Sequence, residues 1–220
     1  MEDFLDSIRF LQLYDSFLPQ IRYRLIVVNS YEALNPMVEM QPVDWIKKAQ
    51  RGDPVVLGEL FERFHRGIFR YLYYRVGDAH TAEDLTSEVF LRVLAALPGY
   101  RPQGASLQAW IFQIARNLSI DHYRRSNHRQ ETELGEHIPV QSPDPLKLVE
   151  QGLTAEKLYQ ALTLLPDSQR DVLILRFING MPIGDVAQTL DKSEDAIKGL
   201  QRRALTALRD RLTEWEVVYV

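Results

Sequence analysis

The sequence predicts an all-α protein with two small helical domains joined by a flexible acidic linker. Apolar residues recur at steps of three and four in both halves, which is the spacing of one face of a helix. The first half contains no alternating pattern of the kind that a half-buried strand would give. Prolines, glycines and acidic residues gather at about 130–152, where apolar residues are few, and this composition is typical of a linker.

Composition excludes several classes of protein. The chain has 220 residues, 45% of them hydrophobic, and no cysteine, so disulfide scaffolds, Cys-ligated zinc, iron–sulfur clusters and thiol nucleophiles are ruled out. The N-terminus has neither the basic nor the apolar part of a secretory signal. The longest dense apolar run, Leu25 to Val28, is far below the roughly 18 residues of a membrane span. We therefore expect a soluble protein of the cytoplasm.

The charge pattern is more informative than the net charge of −4. The basic residues of segment 106–130 are followed by the acidic residues of segment 131–155, and the two cancel in the total. The balance excludes a uniformly basic protein but leaves room for a nucleic-acid binder with local basic patches.

The first domain is expected to contain three main helices. Asp53-Pro54 is a good helix start, and Gly77-Asp78 ends that helix. A second helix is predicted from about Thr81 to Leu97, and Ser106 is a candidate cap for the third. The residues expected on the inward face of the first helix are Leu57, Leu60, Phe61, Phe64, Ile68, Leu72 and Val76.

The second domain is expected to end in a helix-turn-helix. Pro166 ends a short helix, and Asn179-Gly180 ends the next one. Pro182 opens a further helix, Asp191-Lys192 forms a turn, and Ser193 caps the last helix. Two helices joined by a tight turn form a helix-turn-helix, although other small helical bundles can give the same pattern.

Three helix faces carry residue types suited to binding. The last helix presents Lys198, Gln201, Arg202 and Arg203, which suit the major groove of DNA. The third helix carries a basic group suited to phosphate contact and base stacking, made of Arg116, Asn117, Arg124 and Arg125. The second helix presents an acidic stripe suited to a basic protein partner, made of Asp84, Ser87, Glu88 and Leu91.

Each face also has a structural explanation. A solvated polar surface accounts for the last helix and for the acidic stripe. The negative end of the helix dipole attracts Arg124 and Arg125, but this does not explain Arg116.

Three segments together resemble a known family. Residues 82–93 (AEDLTSEVFLRV) look like conserved region 2.2 of bacterial sigma factors, and residues 110–125 (WIFQIARNLSIDHYRR) resemble regions 2.3 and 2.4. The Leu164-Leu165-Pro166 motif, Gln169-Arg170 and the helix-turn-helix resemble region 4. The order and spacing are similar to those of the small extracytoplasmic-function (ECF) group of RNA polymerase sigma factors, over about residues 50–130 and 153–212.

The resemblance implies a role for each face, with core RNA polymerase and promoter DNA as partners. It implies that the acidic stripe docks on core polymerase through Asp84, Ser87, Glu88 and Leu91. It implies that the −10 element is contacted by Tyr100, Arg101, Arg116, Asn117, Arg124 and Arg125, with a flipped base held near Tyr100. It implies that the −35 element is contacted by Ser193, Lys198, Gln201, Arg202 and Arg203. An anti-sigma factor is a further candidate partner.

The resemblance also divides the chain. The implied parts are an N-terminal extension at 1–44, a region 2 domain at 45–129, the linker at 130–152, a region 4 domain at 153–213 and a tail at 214–220. Two interpretations of the extension stay open. Met37 or Met40 is the natural start, because residues 45–53 resemble the usual beginning of these proteins, or the extension is a regulatory helix.

The sequence departs from the family in two places. Asp191 stands in a turn where glycine is common, and Asp tolerates the left-handed conformation needed there. Glu194 and Asp195 put negative charge near the predicted DNA face, which leaves the −35 contacts open.

Other functions remain as alternatives. A sigma mimic would keep the fold without needing the basic residues, and a plain helix-turn-helix repressor would not explain the first domain. None of the five histidines forms an HExxH pair, and there is no glycine-rich phosphate loop or Gly-x-Ser-x-Gly elbow. We expect no enzyme activity, cofactor or metal.

Overall fold

The computed structural model describes residues 43–101, 106–132 and 155–218, and all regular structure in these ranges is helical. The N-terminal extension up to residue 42, most of the predicted linker and the last two residues of the tail lie outside the described residues. The helices are α1 (Val43–Gln50), α2 (Pro54–Val76), α3 (Ala79–Ala96), α4 (Leu107–Thr132), α5 (Ala155–Thr163), α6 (Asp167–Leu173), α7 (Ile183–Leu190) and α8 (Glu194–Val218). The prediction of an all-α fold is confirmed.

Local signals set the ends of α2 as predicted. The Asp53 carboxylate accepts hydrogen bonds from the backbone N–H groups of Val55 and Val56, at 3.0 and 3.3 Å, so that two of the otherwise unpaired donors of the first turn are satisfied. At the other end Gly77 takes a left-handed conformation with φ 83°, which glycine adopts without steric cost.

The start of α3 differs from the prediction. The helix begins at Ala79 rather than near Thr81, because Asp78 is the capping residue. Its Oδ2 accepts hydrogen bonds from both the backbone N–H and the hydroxyl of Thr81, at 2.7 and 2.6 Å. Those bonds, the side-chain one first, lower the pKa of the Asp78 carboxyl from its ordinary value.

Replacing Asp78 with alanine is expected to lower the free energy of unfolding by about 1 kcal/mol at neutral pH, because the cap of α3 is lost. Since the folded-state pKa of Asp78 is lowered, the stabilisation is present above the unfolded-state pKa and is lost as pH falls through the folded-state pKa. Urea unfolding of both proteins across acidic pH should therefore show the difference shrinking. Asp78→Asn is the control, because asparagine also caps, and an equal loss in that variant would contradict the explanation.

The helix-turn-helix also forms as predicted. Helix α6 continues into a π-helical turn at Ile174–Ile178, and α7 and α8 follow. Asp191 has φ 52° and ψ 54°, the left-handed turn conformation expected between α7 and α8. The Ser193 hydroxyl accepts a hydrogen bond from the Ala196 N–H at 3.2 Å, as a helix cap does. Helix α8 runs to Val218, beyond the expected domain end at residue 213.

The two predicted domains pack against each other, which the sequence did not predict. Buried apolar residues of both belong to one continuous cluster, including Ile68 and Phe112 from the first and Val172 and Met181 from the second. Polar bonds cross the same boundary. The Ser106 N–H donates to Gln188 Oε1 at 2.9 Å, and the Thr189 hydroxyl donates to the Ala109 carbonyl at 3.2 Å. The start of α4 is therefore held against α7.

Within the described ranges, no helix is both long enough and apolar enough to cross a membrane.

Candidate nucleic-acid and protein interfaces

The acidic stripe of α3 lies on the surface. Asp84, Ser87 and Leu91 are exposed and Glu88 is partly so, with the Leu91 side chain exposed to 63%. Glu88 is held by the Arg92 guanidinium at 2.9 Å, and Asp84 lies 3.9 Å from the His80 imidazole. The stripe is thus an exposed and mainly acidic surface with one prominent apolar side chain.

Two apolar residues that the sequence analysis did not assign to a surface lie exposed in the same domain. Phe61 was predicted to point inward from α2, but it is 42% exposed, and its ring lies 4.7 Å from the ring of Phe90. It falls at the edge of the apolar face of α2, where packing on Phe90 of α3 leaves its outer side uncovered. Leu94, also 42% exposed, follows Leu91 by three residues on α3, and this spacing is the signal that could have identified it.

The basic surface of α4 is only partly free. Asn117, Arg124 and Arg125 are exposed. The Arg116 side chain is 27% exposed and bonds through Nε to Asp171 Oδ2 at 3.0 Å. Asp171 belongs to α6 of the second domain, so a residue predicted to contact DNA is engaged by a carboxylate of the other domain.

Tyr100 is buried, although the resemblance implies that a flipped base is held near it. Its side chain is 6% exposed, and its ring lies 4.9 Å from that of Trp110. Burial raises the pKa of the Tyr100 hydroxyl. Two features hold this position: a 3₁₀ turn at Leu97–Gly99 directly precedes Tyr100, and Gln50 Nε2 of α1 donates to the Tyr100 carbonyl at 2.7 Å. Arg101 next to it is exposed. The role of Tyr100 in holding a base stays a prediction.

The outer face of α8 presents the expected cations. Lys198, Arg202 and Arg203 are exposed, and Lys198 Nζ lies 3.5 Å from Asp195. Gln201 is partly buried, and its Oε1 has no hydrogen-bond partner among the described residues.

Two further residues near the predicted DNA face are Gly199 and Ser193. A Cβ at Gly199 would meet the Arg203 Nη1 only at 3.6 Å, an ordinary contact, so crowding by the described residues does not explain the glycine. Ser193, predicted to contact the −35 element, has its hydroxyl engaged in capping α8.

A buried charged cluster joins the domains, and the sequence analysis missed most of it. It consists of Tyr71 and Arg75 on α2, Arg116 on α4 and Asp171 on α6. Asp171 Oδ1 accepts from the Tyr71 hydroxyl at 2.9 Å and lies 3.5 Å from Arg75 Nη1. The side chains of Arg75 and Asp171 are 2% and 1% exposed. We call these four residues the interdomain cluster.

The ionisation of the interdomain cluster follows from burial and charge. Burial first, and then the negative charge of Asp171, raise the pKa of the Tyr71 hydroxyl well above its usual value, so it stays protonated and donates. Burial alone would lower the pKa of Arg75. Interactions with Asp171, Tyr71 and Asp167 raise this pKa overall, and that with the Asp171 carboxylate is the largest of them. No group of His, Asp and Glu among the described residues is arranged to hold a metal ion.

Comparison with known proteins identifies both domains. Residues 60–129 match the family model of sigma-70 region 2, and residues 161–210 match that of sigma-70 region 4. The chain is 37% identical over 168 residues to the ECF RNA polymerase sigma factor BldN of Streptomyces coelicolor, and the match covers 76% of this chain and 64% of BldN. It is 32% identical over 159 residues to the ECF RNA polymerase sigma factor SigX of Bacillus subtilis, covering 70% of this chain and 81% of SigX.

Solved structures show the same fold. CnrH, determined in complex with the cytosolic domain of CnrY, aligns with a TM-score of 0.61 at 21% identity, covering 77% of this chain and 96% of CnrH. The sigma factor RpoE of Bartonella quintana, determined with the anti-sigma factor NepR, aligns with a TM-score of 0.62 at 22% identity, covering 71% of this chain and 96% of RpoE.

Proposed function

The chain belongs to the extracytoplasmic-function group of the sigma-70 family, and from that premise we propose which of its surfaces carry out promoter recognition. A sigma factor is a transcription initiation factor and not an enzyme. It joins core RNA polymerase, recognises promoter DNA and helps to open it, so core polymerase and DNA are the partners of this chain.

Core polymerase docks on the acidic stripe of α3. The exposure of Asp84, Ser87 and Leu91, together with the charge of Glu88, supports this assignment. An acidic face favours a basic protein surface and disfavours DNA, and the exposed Leu91 at the C-terminal end of the stripe supplies an apolar anchor. Phe61 and Leu94, exposed in the same domain, extend the candidate contact area.

The −10 element binds along α4 and the loop before it. Asn117, Arg124 and Arg125 are exposed and suited to the phosphates and bases of a separated strand. Trapping a flipped base costs a few kcal/mol of unstacking, which binding must supply, because a sigma factor uses no other energy source. For Tyr100 to hold that base, its ring would have to leave its packed position against Trp110.

The −35 element binds as duplex against α8, the second helix of the helix-turn-helix. Arg202, Arg203 and Lys198 project from its exposed side, as a recognition helix requires in the major groove. Glu194 and Asp195 lie in the first turn of α8, where they stabilise the positive end of the helix dipole.

The observation that carries the proposal is that one chain combines an exposed acidic stripe on α3 with exposed basic faces on α4 and α8. A sigma mimic has no need of the basic faces, and a repressor has no need of the stripe. Because a sigma factor acts on RNA polymerase, the protein acts in the cytoplasm. Because RpoE of Bartonella quintana was solved with the anti-sigma factor NepR, an anti-sigma factor is a candidate third partner.

Run-off transcription on fragments of the host genome, with purified core polymerase, tests this assignment. The double change Arg202→Ala and Arg203→Ala is expected to lower promoter-dependent transcription by about thirtyfold or more, because two lost DNA contacts at roughly 1–3 kcal/mol each cost at least about 2 kcal/mol together. Binding to core polymerase should be unchanged, because the acidic stripe is untouched.

Arg209→Ala is the matched control for that experiment, since Arg209 is an exposed arginine on the same helix outside the predicted −35 group. It should transcribe nearly as well as the original protein. Full transcription by the double variant would contradict the role of α8. A wild-type protein that binds neither core polymerase nor promoter DNA would support the mimic.

A further inference from the structure

The Asp171 carboxylate bonds to side chains of the other domain. It accepts from the Tyr71 hydroxyl and from Arg116 Nε, at 2.9 and 3.0 Å, and it lies 3.5 Å from Arg75 Nη1. All three partners belong to α2 and α4 of the region 2 domain, whereas Asp171 belongs to region 4. The carboxylate is 1% exposed, so the contact is formed out of water.

Further hydrogen bonds join the two domains close to the interdomain cluster. Arg170 Nη2 donates to the Arg75 carbonyl at 3.1 Å, and the Tyr159 hydroxyl donates to the Val76 carbonyl at 3.3 Å. Gly77 leaves the space that the Tyr159 ring fills, because a Cβ there would lie 2.2 Å from the Tyr159 hydroxyl oxygen. The domains are therefore fitted to each other in shape as well as in charge.

This arrangement uses a residue that promoter binding also needs. Arg116 is in the predicted −10 group, and the bond from its Nε to the buried Asp171 carboxylate leaves only part of its guanidinium for a phosphate. The fixed negative charge of Asp171 repels a phosphate approaching the same place. Helix α7 adds a second obstacle, because Gln188 and Thr189 bond to the start of α4, beside the loop assigned to the −10 strand.

We propose that Asp171 is an internal competitor for promoter DNA: by binding Arg116, Arg75 and Tyr71 it holds regions 2 and 4 together in a closed form with low affinity for the −10 strand. The proposal rests on the −10 assignment made above. Any partner that separates the domains frees Arg116 and so raises the affinity for DNA. The apparent affinity of the free protein is the intrinsic affinity reduced by the fraction that is open.

The energetics favour Asp171 as the point of control. In the open form both arginines and the carboxylate regain water, so removal of the carboxylate charge penalises only the closed form. There it leaves Arg75 buried with a single acidic partner, Asp167, at 2.9 Å. Loss of one partner from a buried pair shifts an equilibrium by orders of magnitude. With Asp167 still present and Arg116 partly exposed, we expect the open fraction to rise about tenfold to a hundredfold.

The experiment measures domain separation and DNA binding in the full chain. Because the protein has no cysteine, Glu62→Cys and Lys192→Cys provide two unique spin-label positions, both exposed and one in each domain. Pulsed electron paramagnetic resonance then reports their distance distribution. Fluorescence anisotropy with a labelled single-stranded oligodeoxynucleotide reports DNA affinity without polymerase.

In Asp171→Asn, which keeps the shape of the side chain, the short distance population should give way to longer distances, and the oligonucleotide should bind roughly tenfold tighter. Asp167→Asn is the matched control. It removes the same charge from the same helix, but Asp167 bonds to Arg75 and not to Arg116 and its side chain is 76% exposed, so it should change both readouts less than Asp171→Asn does.

A second variant covers the case in which Asp171→Asn fails to fold, as judged by helical circular dichroism. Tyr71→Phe removes only the hydroxyl that donates to Asp171 and should shift both readouts in the same direction by a smaller factor. Unchanged distances in folded Asp171→Asn would overturn the closed form as an Asp171-dependent state. Wider separation without tighter DNA binding would overturn the competition for DNA. Failure of the proposed function is seen separately, as absence of run-off transcription by the wild-type protein.

Discussion

Leu91→Arg is expected to weaken binding to core RNA polymerase by at least about a hundredfold, while leaving the fold intact. A central apolar anchor of an interface contributes roughly 2 kcal/mol or more, and a like charge set against a basic partner adds a further penalty. The side chain is 63% exposed, so its replacement removes almost no packing within the chain. Titration of labelled sigma factor with core polymerase measures the loss directly.

Val55→Arg provides the matched comparison, because it places the same charge at a 69% exposed apolar residue of the same domain but on α2, outside the acidic stripe. That variant should bind core polymerase nearly as well as the wild type. Equal losses in the two variants would show that added positive charge alone weakens binding, and the assignment of α3 as the docking helix would fail.

Phe112→Ala is expected to lower the free energy of unfolding by about 3–5 kcal/mol, a large part of the stability of a domain of this size. The side chain is 0% exposed, and its ring meets that of Tyr71 edge-on with centroids 5.9 Å apart. Truncation would remove a full aromatic ring from a packed interior and leave a cavity that the rigid helices cannot close. Thermal and urea unfolding followed by circular dichroism give the change.

Phe61→Ala is the corresponding control, since it removes the same ring from a position that is 42% exposed. We expect it to cost about 1 kcal/mol, because its outer side already faces water. A loss in Phe61→Ala as great as that in Phe112→Ala would mean that α2 and α3 depend on the surface ring pair more than on the interior.

Helix ends and faces were predictable because their causes are local. Asp53 bonds to N–H groups two and three residues ahead, and Ser193 to one three residues ahead. Gly77 and Asp191 take left-handed conformations that their residue types permit. The exposure of the α3 stripe and of Lys198, Arg202 and Arg203 followed from helical periodicity. In each case the relevant neighbours lie within a few positions along the chain.

The contacts between the domains were not predictable in the same way. Arg116 and Asp171 are 55 positions apart, and Tyr71 and Asp171 are 100 apart, so no spacing rule connects them. The basic pattern around Arg116 suggested a nucleic-acid surface, whereas the fold provides it with a carboxylate from the second domain. Tyr100 shows the same limit, because its burial depends on Trp110 and on Gln50 of α1, which is 50 positions earlier in the chain.

Gly67 determines how far apart the two halves of the molecule stand. A Cβ at this position would lie 3.3 Å from Cζ of Phe112, closer than most real Cβ contacts, and 3.4 Å from Oδ1 of Asn179, at the short limit of ordinary contact. Phe112 is in the first domain and Asn179 is in the second, so a side chain at Gly67 would push against both domains where they meet. If the second domain shifted by a few tenths of an ångström relative to the first at Gly67, the displacement would be larger at the far end of α8. The smallest residue in the protein thus governs the relative orientation of two surfaces that must each meet DNA.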